Sequence, residues 1–191
     1  MSKDFTLYIK NMVCPRCIVL VNTVLVQLEV RVEGVQLGEV QLLSPLSIAK
    51  KRQIEERFLP LGFEVLEDPR LVVVEQVKIK IIEYVQTEKV LRMNLSDYLA
   101  TTTSLNYAQL AKLFVGYTSL TIEKFYLLQR IEKVKELISY GELSLEEIAQ
   151  KLHYKEASHM SKQFKKIVGI SPSMYKKNQK YERKFLDDII T

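Results

Sequence analysis

The sequence has no apolar run long enough to cross a membrane and no leader-like start. A membrane span needs roughly 20 apolar residues. The most apolar stretch, residues 17–28, is shorter and is interrupted by Asn22, Thr23 and Gln27. The first residues, MSKDF, lack the basic stretch, apolar core and small-residue cleavage site of a secretory signal. We therefore expect a cytoplasmic protein without membrane contacts.

Cysteine is scarce, and the usual signs of an active site are missing. Cys14 and Cys17 are the only cysteines. In a chain without an export signal, their C-x-x-C spacing indicates a metal or redox site rather than a structural disulfide. No glycine-rich phosphate loop, pair of acids or Ser/His arrangement stands out, so we expect no enzymatic activity. His153 and His159, the only histidines, share no helical face, which argues against a metal role for them.

Positive charge is concentrated in the C-terminal part of the chain. The net charge is +5, yet residues 1–68 carry 8 Lys/Arg against 9 Asp/Glu. Residues 69–191 carry 20 basic side chains against 14 acidic ones, and residues 155–184 carry 9 against 2. A basic segment after a neutral one indicates a polyanionic partner for the C-terminal part. The alternative is an ordinary lysine-rich solvated face.

Residues 144–175 repeat, without a gap, the pattern of residues 94–125. Each copy has a capping residue with an acid three positions later, and then an apolar i, i+4 pair on a second helix. A lysine precedes the second member of that apolar pair in both copies. The equivalent residues, 50 positions apart, are Ser144 and Asn94, Glu147 and Asp97, Met160 and Leu110, Lys162 and Lys112, Phe164 and Phe114, and Tyr175 and Phe125. The repeat predicts two helix-turn-helix units.

A helix-turn-helix lays its second helix in the major groove and braces it with the first. The pattern places the braces at residues 94–100 and 144–152 and the reading helices at residues 106–115 and 157–167. Met160, Phe164 and Ile167 are expected to face the core. The open sides then carry donors, acceptors and lysines that suit base and phosphate contacts. These residues are Asn106, Ala108, Gln109 and Lys112 in the first unit, and Ser158, His159, Lys162 and Lys166 in the second.

A single amphipathic helix is predicted between the two units. Thr121 is a suitable N-cap for residues 122–140, and Gly141 is a natural stop. At ~1.5 Å per residue this helix is roughly 28 Å long. Successive major-groove faces of DNA lie ~34 Å apart, so a rod of this length could hold two reading helices about one DNA turn apart.

Residues 75–177 resemble the DNA-binding domain of AraC/XylS-type bacterial transcription regulators. That domain has two helix-turn-helix units joined by a long helix, and it closes with Gly-x-Ser/Thr-Pro-x-x-Tyr/Phe. Here the closing motif is GISPSMY, residues 169–175. The other matching residues are Ile148 and Ala149 of the brace, Phe164, Lys165 and Lys166 of the reading helix, and Arg130, Ile131, Glu132, Lys133, Glu136 and Leu137 of the linker helix. The resemblance implies a transcription regulator that binds double-stranded DNA and works with RNA polymerase.

The resemblance also implies which residues face the bases. The chain departs from the family at His153-Tyr154, where the family has Gly-Phe, and its first unit has Ser119 where the second has Gly169. By position, the base-facing residues are Ala108, Ala111 and Lys112 in the first unit and Ala157, Ser158, His159 and Lys162 in the second. Alanine offers no hydrogen bond, so it favours contact with thymine methyl groups or readout of DNA shape.

The first 68 residues alternate strand and helix signals in the order βαββαβ. Strands are predicted at residues 6–10, 35–37, 39–43 and 63–66, with a hairpin at Gly38. Helices are predicted at residues 15–28 and 47–59, the second with Ser47 as its cap. Its apolar side is expected to consist of Ile48, Ile54, Phe58 and Leu59. This order is that of a ferredoxin-like sandwich. Pro69 marks the break, and residues from Val72 onward are predicted to be helical.

The loop Met12-Val13-Cys14-Pro15-Arg16-Cys17 joins the first strand to the first helix. A helix N-terminus lowers a thiol pKa and favours the thiolate. The loop resembles the Met-x-Cys-x-x-Cys of heavy-metal-associated domains, and Gly62-Phe63 lies where that family has a glycine-aromatic pair. The resemblance implies Cys14 and Cys17 as ligands of Cu(I) or Zn(II), which soft thiolates favour. A thiol redox switch and a retained fold without a ligand remain alternatives.

The predicted fold class is α+β. A ferredoxin-like domain over residues 1–68 precedes an all-α DNA-binding domain over residues 69–191, with units at about 94–125 and 144–175. The predicted function is that of a DNA-binding transcription regulator, modulated by soft metal or redox state at the C-x-x-C pair. Metal-driven dimerisation would make a second copy a further partner. The rival functions are a metal carrier whose helical part binds another protein, and a thiol oxidoreductase.

Overall fold

The computed structural model describes residues 5–87, 93–103 and 105–177, and it divides between Lys80 and Ile81 into two compact units. The domain boundary predicted between Asp68 and Pro69 lies 12 residues before this division, at the start of α3. The elements up to that helix are β1 (Phe5–Lys10), α1 (Pro15–Gln27), β2 (Val32–Gln36), β3 (Glu39–Leu42), α2 (Ile48–Phe58), a 3-10 turn (Leu59–Leu61), β4 (Glu64–Leu66) and α3 (Pro69–Gln86). The predicted order βαββαβ is therefore observed.

The four strands form one antiparallel sheet in the order β2-β3-β1-β4. Gly38 closes the β2–β3 hairpin with a φ of +77°, and a Cβ there would lie 2.5 Å from Cδ1 of Ile79. The left-handed backbone conformation is what favours glycine here, since the Ile79 methyl group is the end of a flexible side chain and can shift. Strand β2 begins three residues earlier than predicted. An irregularity between Val32 and Gly34 breaks its alternation, which is the signal that predicts a strand.

The core of the first unit lies between the sheet and helices α1 and α2. Ile9, Met12, Ile54 and Phe58 are among its fully buried side chains. The expectation that Ile48 and Leu59 share the apolar side of α2 is wrong, since they are 90% and 74% exposed. Ile48 is six residues from Ile54, which at about 100° per residue turns it roughly 120° away. Leu59 follows the end of α2 and opens the 3-10 turn.

Proline opens both α1 and α3. Its fixed φ suits a first helical turn, and its missing N–H would have no intrahelical partner there. Helix α3 accordingly begins at Pro69, three residues before the Val72 start predicted from the sequence. No helix in the described ranges is both long and apolar enough to span a membrane.

The described residues of the second unit that follow α3 are helical. The helices are α4 (Leu95–Thr102), α5 (Tyr107–Thr118), α6 (Ile122–Tyr140), α7 (Leu145–Lys151), α8 (Ala157–Val168) and α9 (Pro172–Lys177). The side chains of Asn94, Thr121 and Ser144 accept the predicted capping hydrogen bonds at the starts of α4, α6 and α7. Gly141 ends α6 with a φ of +73°. The long helix predicted between the two helix-turn-helix units is therefore confirmed, with its cap and its stop.

Candidate nucleic-acid interface

Helix α8 is held in place by a buried apolar face. Met160 and Phe164 are fully buried, and the ring of Phe164 packs edge-on against Tyr175 with centroids 5.5 Å apart. Ile167 packs against the same core, which also contains Ile148 of α7. The predicted core face of α8 is thus confirmed. The opposite face of this helix is left to solvent.

A reciprocal cap fixes the start of α7, the helix that braces α8. The Ser144 N–H donates to Oε2 of Glu147 over 2.7 Å, and the Glu147 N–H donates to Oγ of Ser144. The first of these bonds holds the pKa of the Glu147 carboxyl below its ordinary value. Both capping residues were predicted from the sequence.

The outward face of α8 carries the residues predicted to meet DNA. Ser158, His159, Lys162 and Lys166 are exposed, while Ala157, the first residue of the helix, is half-buried. The Ser158 hydroxyl donates to Oε2 of Glu156 over 2.8 Å. Nε2 of His159 lies 3.3 Å from Nε2 of Gln163. Ser158 and His159 therefore have partners within the protein, and neither lysine pairs with an acid in the part of the chain that the structure describes.

The first helix-turn-helix unit repeats this arrangement with α5. Leu110 and Phe114 are buried, and Phe114 packs against Phe125 of α6 with centroids 5.7 Å apart. On the open side, Asn106, Ala108, Gln109 and Lys112 are exposed and Ala111 is half-buried. Lys112 and Lys162 thus occupy equivalent exposed positions.

Asn106 and Gln109 have a second role that sequence reasoning missed. The Asn106 side chain accepts from the Gln109 N–H, and the Gln109 side chain accepts from the Asn106 N–H, each over 3.0 Å. These two oxygens cap α5, which leaves the amide NH₂ groups as the donors available to DNA. The pattern Asn-x-x-Gln before a helix was a readable signal for this capping box.

Arg130 of α6 holds the turn between α7 and α8, which sequence reasoning also missed. Its guanidinium lies 3.6 Å from the centre of the Tyr154 ring, and Nη2 donates to the Leu152 carbonyl over 2.6 Å. His153, between these residues, has a φ of +57°. This left-handed conformation explains why a glycine at this position would suit the turn. The Tyr154 hydroxyl is buried without a hydrogen-bond partner among the described residues.

A hydroxyl–carboxylate hydrogen bond links α5 of the first helix-turn-helix unit to α6. The Tyr107 hydroxyl donates to Oε1 of Glu123. Burial and the hydrogen bond to Glu123 raise the pKa of Tyr107, while the hydrogen bond from Tyr107 holds the pKa of Glu123 below its ordinary value. No sequence signal joins two residues 16 positions apart on different helices.

The cysteine pair lies in the N-terminal compact unit, at the start of α1. The Sγ atoms of Cys14 and Cys17 are 3.5 Å apart, both residues are half-buried, and neither forms a disulfide. Cys14 is the N-cap residue, but its thiol forms no capping hydrogen bond. Met12 of the same loop is fully buried in the core. Within the described ranges, no group of three His, Cys, Asp or Glu side chains is placed to hold a metal ion.

The surroundings of the pair fix the loop and set the chemistry of one thiol. The Asn11 N–H donates over 2.8 Å to Oε1 of Glu75, a buried carboxylate whose other oxygen accepts from Lys78. Burial raises the pKa of the Cys17 thiol, and the neighbouring Cys14 adds to this, while backbone hydrogen bonds oppose it. The expectation that the helix N-terminus favours the thiolate is therefore wrong for Cys17, because desolvation outweighs the hydrogen bonds.

Two helix pairs, in each of which the second helix buries one face and exposes the other, have the arrangement of helix-turn-helix units. In agreement, residues 99–178 match a protein family described as a helix-turn-helix domain. The matched residues include helices α5 to α9.

The curated proteins similar to this chain are transcription regulators. It is 33% identical over 87 residues to the uncharacterized HTH-type transcriptional regulator YidL of Escherichia coli, covering 46% of this chain and 29% of YidL. It is also 33% identical over 86 residues to the raffinose operon transcriptional regulatory protein RafR of Pediococcus pentosaceus, covering 45% of this chain and 30% of RafR. The matched segment spans less than a third of the length of either relative.

Two solved structures are also similar to the chain. One is the C-terminal domain of AraT, a response regulator from Geobacillus stearothermophilus, with 20% identity, a TM-score of 0.48, and coverage of 59% of this chain and 93% of that one. The other is a transcriptional regulator (AraC-type DNA-binding domain-containing proteins) from Chromobacterium violaceum, with 18% identity, a TM-score of 0.48, and coverage of 56% and 96%.

Proposed function

We propose that this protein is a sequence-specific transcription regulator of the AraC type that binds double-stranded DNA through both helix-turn-helix units. The observation that carries the proposal is the outward face of α8, where Lys162 and Lys166 are exposed while Met160 and Phe164 are buried on the opposite side. The same arrangement recurs in α5, with Lys112 at the position equivalent to Lys162. The helix-turn-helix match and the regulators similar to this chain support the same function.

The contacts divide by chemistry. Lys112, Lys162 and Lys166 are long, exposed cations that suit phosphate oxygens. Ser158 donates its proton to Glu156, so its oxygen remains available as an acceptor for a base amino group. His159 can exchange its contact with Gln163 for a base edge. Asn106 and Gln109 offer their amide donors, while each of their oxygens already accepts one capping hydrogen bond in α5.

Helix α6 suits the role of a spacer between two reading helices. It is continuous over 19 residues, or roughly 28 Å, which is close to the ~34 Å between successive major-groove faces. It packs against α5 of the first helix-turn-helix unit and against α7, α8 and α9 of the second helix-turn-helix unit. In this proposal the protein acts in the cytoplasm, where a DNA-bound regulator can also contact RNA polymerase.

For the N-terminal compact unit we propose a ferredoxin-like fold in which Cys14 and Cys17 form a regulatory site for a soft metal ion. Two Zn–S bonds of ~2.3 Å at a tetrahedral angle hold their sulfurs about 3.8 Å apart, so the observed 3.5 Å requires little adjustment. A linear Cu(I) site needs a wider separation. Any ligands beyond the two thiolates would come from a second copy of the chain, which would couple metal binding to dimerisation. Oxidation of the same pair to a disulfide is the alternative switch.

The test of DNA binding uses the full chain. Duplexes enriched from a random-sequence library are remade with a fluorescent label, and affinity is measured by anisotropy over a range of salt concentrations. If about six phosphates are neutralised, the slope of log affinity against log salt should be near −5. The control variant Arg52→Ala removes an exposed cation from α2, outside the proposed interface, and should leave the slope unchanged. A flat salt response, or no enrichment of any duplex, would overturn the proposal.

The test of the thiol site uses the reduced full chain and the variant Cys14→Ser/Cys17→Ser. Cu(I) and Zn(II) are titrated into both proteins, and DNA affinity and molecular mass are then measured with and without metal. The proposal expects uptake by the wild type alone, together with a change in mass and DNA affinity. Equal uptake by the variant excludes the site, and uptake without any effect on DNA affinity excludes regulation. A metal carrier would bind metal but no DNA, and a thiol oxidoreductase would turn over a disulfide substrate.

A further inference from the structure

The two reading helices share a lysine, and at four of their other outward-facing positions α8 is polar where α5 is not. Each of the first ten residues of α5, 107–116, has an equivalent in α8, 50 positions later, with the same degree of exposure. Where α8 has a hydroxyl or a cation, α5 has a small or apolar residue. The equivalent pairs are Ala108 and Ser158, Ala111 and Ser161, Val115 and Lys165, and Gly116 and Lys166, with Lys112 and Lys162 in common.

The apolar residues of α5 form one continuous stripe. Ala108, Ala111 and Val115 are spaced three and four residues apart and so lie on one helix face, with Lys112 beside them. Val115 is 42% exposed although its side chain is wholly apolar. Val115 lies on the helix surface, whereas Phe114, about 100° away around the helix, is buried in the core.

The surface next to this stripe is low and open. At Gly116 an added Cβ would meet no atom within 4 Å, so the helix backbone itself is accessible there. A shallow groove runs along the adjoining face of α5, on the far side of Lys112 from the stripe, and is lined by Gln109, Lys112, Leu113, Gly116 and Tyr117. A small apolar group can therefore approach α5 closely, which the lysines of α8 at the equivalent positions would hinder.

The DNA major groove displays one apolar group, the C5 methyl of thymine. Methyl and methylene groups of alanine and valine can bury that methyl but cannot hydrogen-bond to any base edge. We propose that α5 recognises A·T base pairs through contact between its apolar stripe and thymine methyl groups, whereas α8 recognises bases through hydrogen bonds; both helices contact phosphates through the equivalent residues Lys112 and Lys162. This inference rests on the proposed function, since it specifies what one of the two reading helices recognises.

The test replaces thymine by uracil, which lacks the C5 methyl and keeps the same base-pairing groups. A duplex enriched by the full chain from a random library is remade with uracil at each thymine in turn, and affinity is measured by fluorescence anisotropy. Burial of one methyl corresponds to an affinity change of about 3- to 4-fold. We expect one or more thymines in one half of the site to show a loss of this size.

A variant of α5 assigns those thymines to the stripe. Ala108→Ser/Ala111→Ser gives α5 the residues that α8 has at these positions, and it should reduce the uracil penalty at the thymines read by α5, since only Val115 of the stripe then remains. The matched control, Ser161→Ala in α8, changes an equivalent half-buried position and should leave that penalty unchanged. Thermal unfolding of both variants checks that they fold like the wild type.

Three results would overturn the inference while leaving the proposed function intact. They are uracil substitution without effect at every thymine, an A·T preference that persists in uracil-containing duplexes because DNA shape is read, and a uracil penalty that is the same in Ala108→Ser/Ala111→Ser. If no duplex is enriched at all, the proposed function fails, and this inference fails with it.

Discussion

Removing one cation from α8 should weaken DNA binding without affecting folding. Lys162 is exposed and pairs with no acid among the described residues, so Lys162→Ala should change stability by no more than about 0.5 kcal/mol. If it contacts one phosphate, its loss reduces the magnitude of the salt slope by ~0.9. Because ~0.15 M salt lies about 0.8 log units below 1 M, affinity should then fall roughly 5-fold. Lys112→Ala should behave in the same way.

The contrasting variant, Phe164→Ala, removes a fully buried ring two residues away. Truncation of a buried Phe costs about 3–5 kcal/mol, a large part of the ~5–15 kcal/mol that stabilises a typical domain. It should therefore abolish DNA binding by unfolding the second unit. Urea unfolding monitored by circular dichroism gives the stability of each variant, and anisotropy at several salt concentrations gives the slope.

The pattern across the variants decides whether the faces of α8 are assigned correctly. A loss of stability in Lys162→Ala comparable to that in Phe164→Ala would show that the outward and inward faces are misplaced. An unchanged salt slope in Lys162→Ala, with normal folding, would show that this side chain touches no phosphate.

The remaining predictions concern stability and thiol chemistry. Tyr154→Phe removes a buried hydroxyl that has no partner among the described residues and should stabilise the fold by about 1 kcal/mol in urea unfolding; a loss would contradict this. Ser119→Gly and His153→Gly should each add about 0.5–1 kcal/mol, since both residues have a φ of +57°, and destabilisation by either would refute the strain argument. Alkylation of Cys17, followed by mass spectrometry, should have a pH midpoint above the ordinary thiol value, because burial raises its pKa. A midpoint at or below that value would contradict this prediction. The neutral Cys17 thiol should also contribute to the free energy of unfolding, and this contribution should be lost as pH rises through the raised pKa.

Local signals in the sequence predicted most of the helical part. Caps at Asn94, Thr121 and Ser144, the stop at Gly141 and the buried positions of α8 were all readable, because a cap involves neighbours in sequence and a helix face repeats every 3.6 residues. The 50-residue repeat then identified equivalent positions in the two units. Where these signals were weak, as at the irregular start of β2, the predicted bounds differ from the observed ones.

Contacts between distant segments were beyond such reasoning. The stacking of Arg130 on Tyr154, the hydrogen bond from Tyr107 to Glu123 and the bond between the Asn11 N–H and Glu75 depend on how helices and loops meet, not on any spacing along the chain. Burial at the cysteine pair is of the same kind.

The amino-acid sequence by itself determined most of the helices and their caps, because these depend on residues within one or two helical turns. It also showed the repeat of the helix pair, because that repeat is a comparison of the sequence with itself. Only the tertiary structure decided which side chains are already bonded, such as Ser158 to Glu156, and which apolar residues stay exposed, such as Val115. It also decided the raised pKa of Cys17. Burial and pairing depend on what the rest of the fold places against a residue, and neighbours along the chain do not specify that.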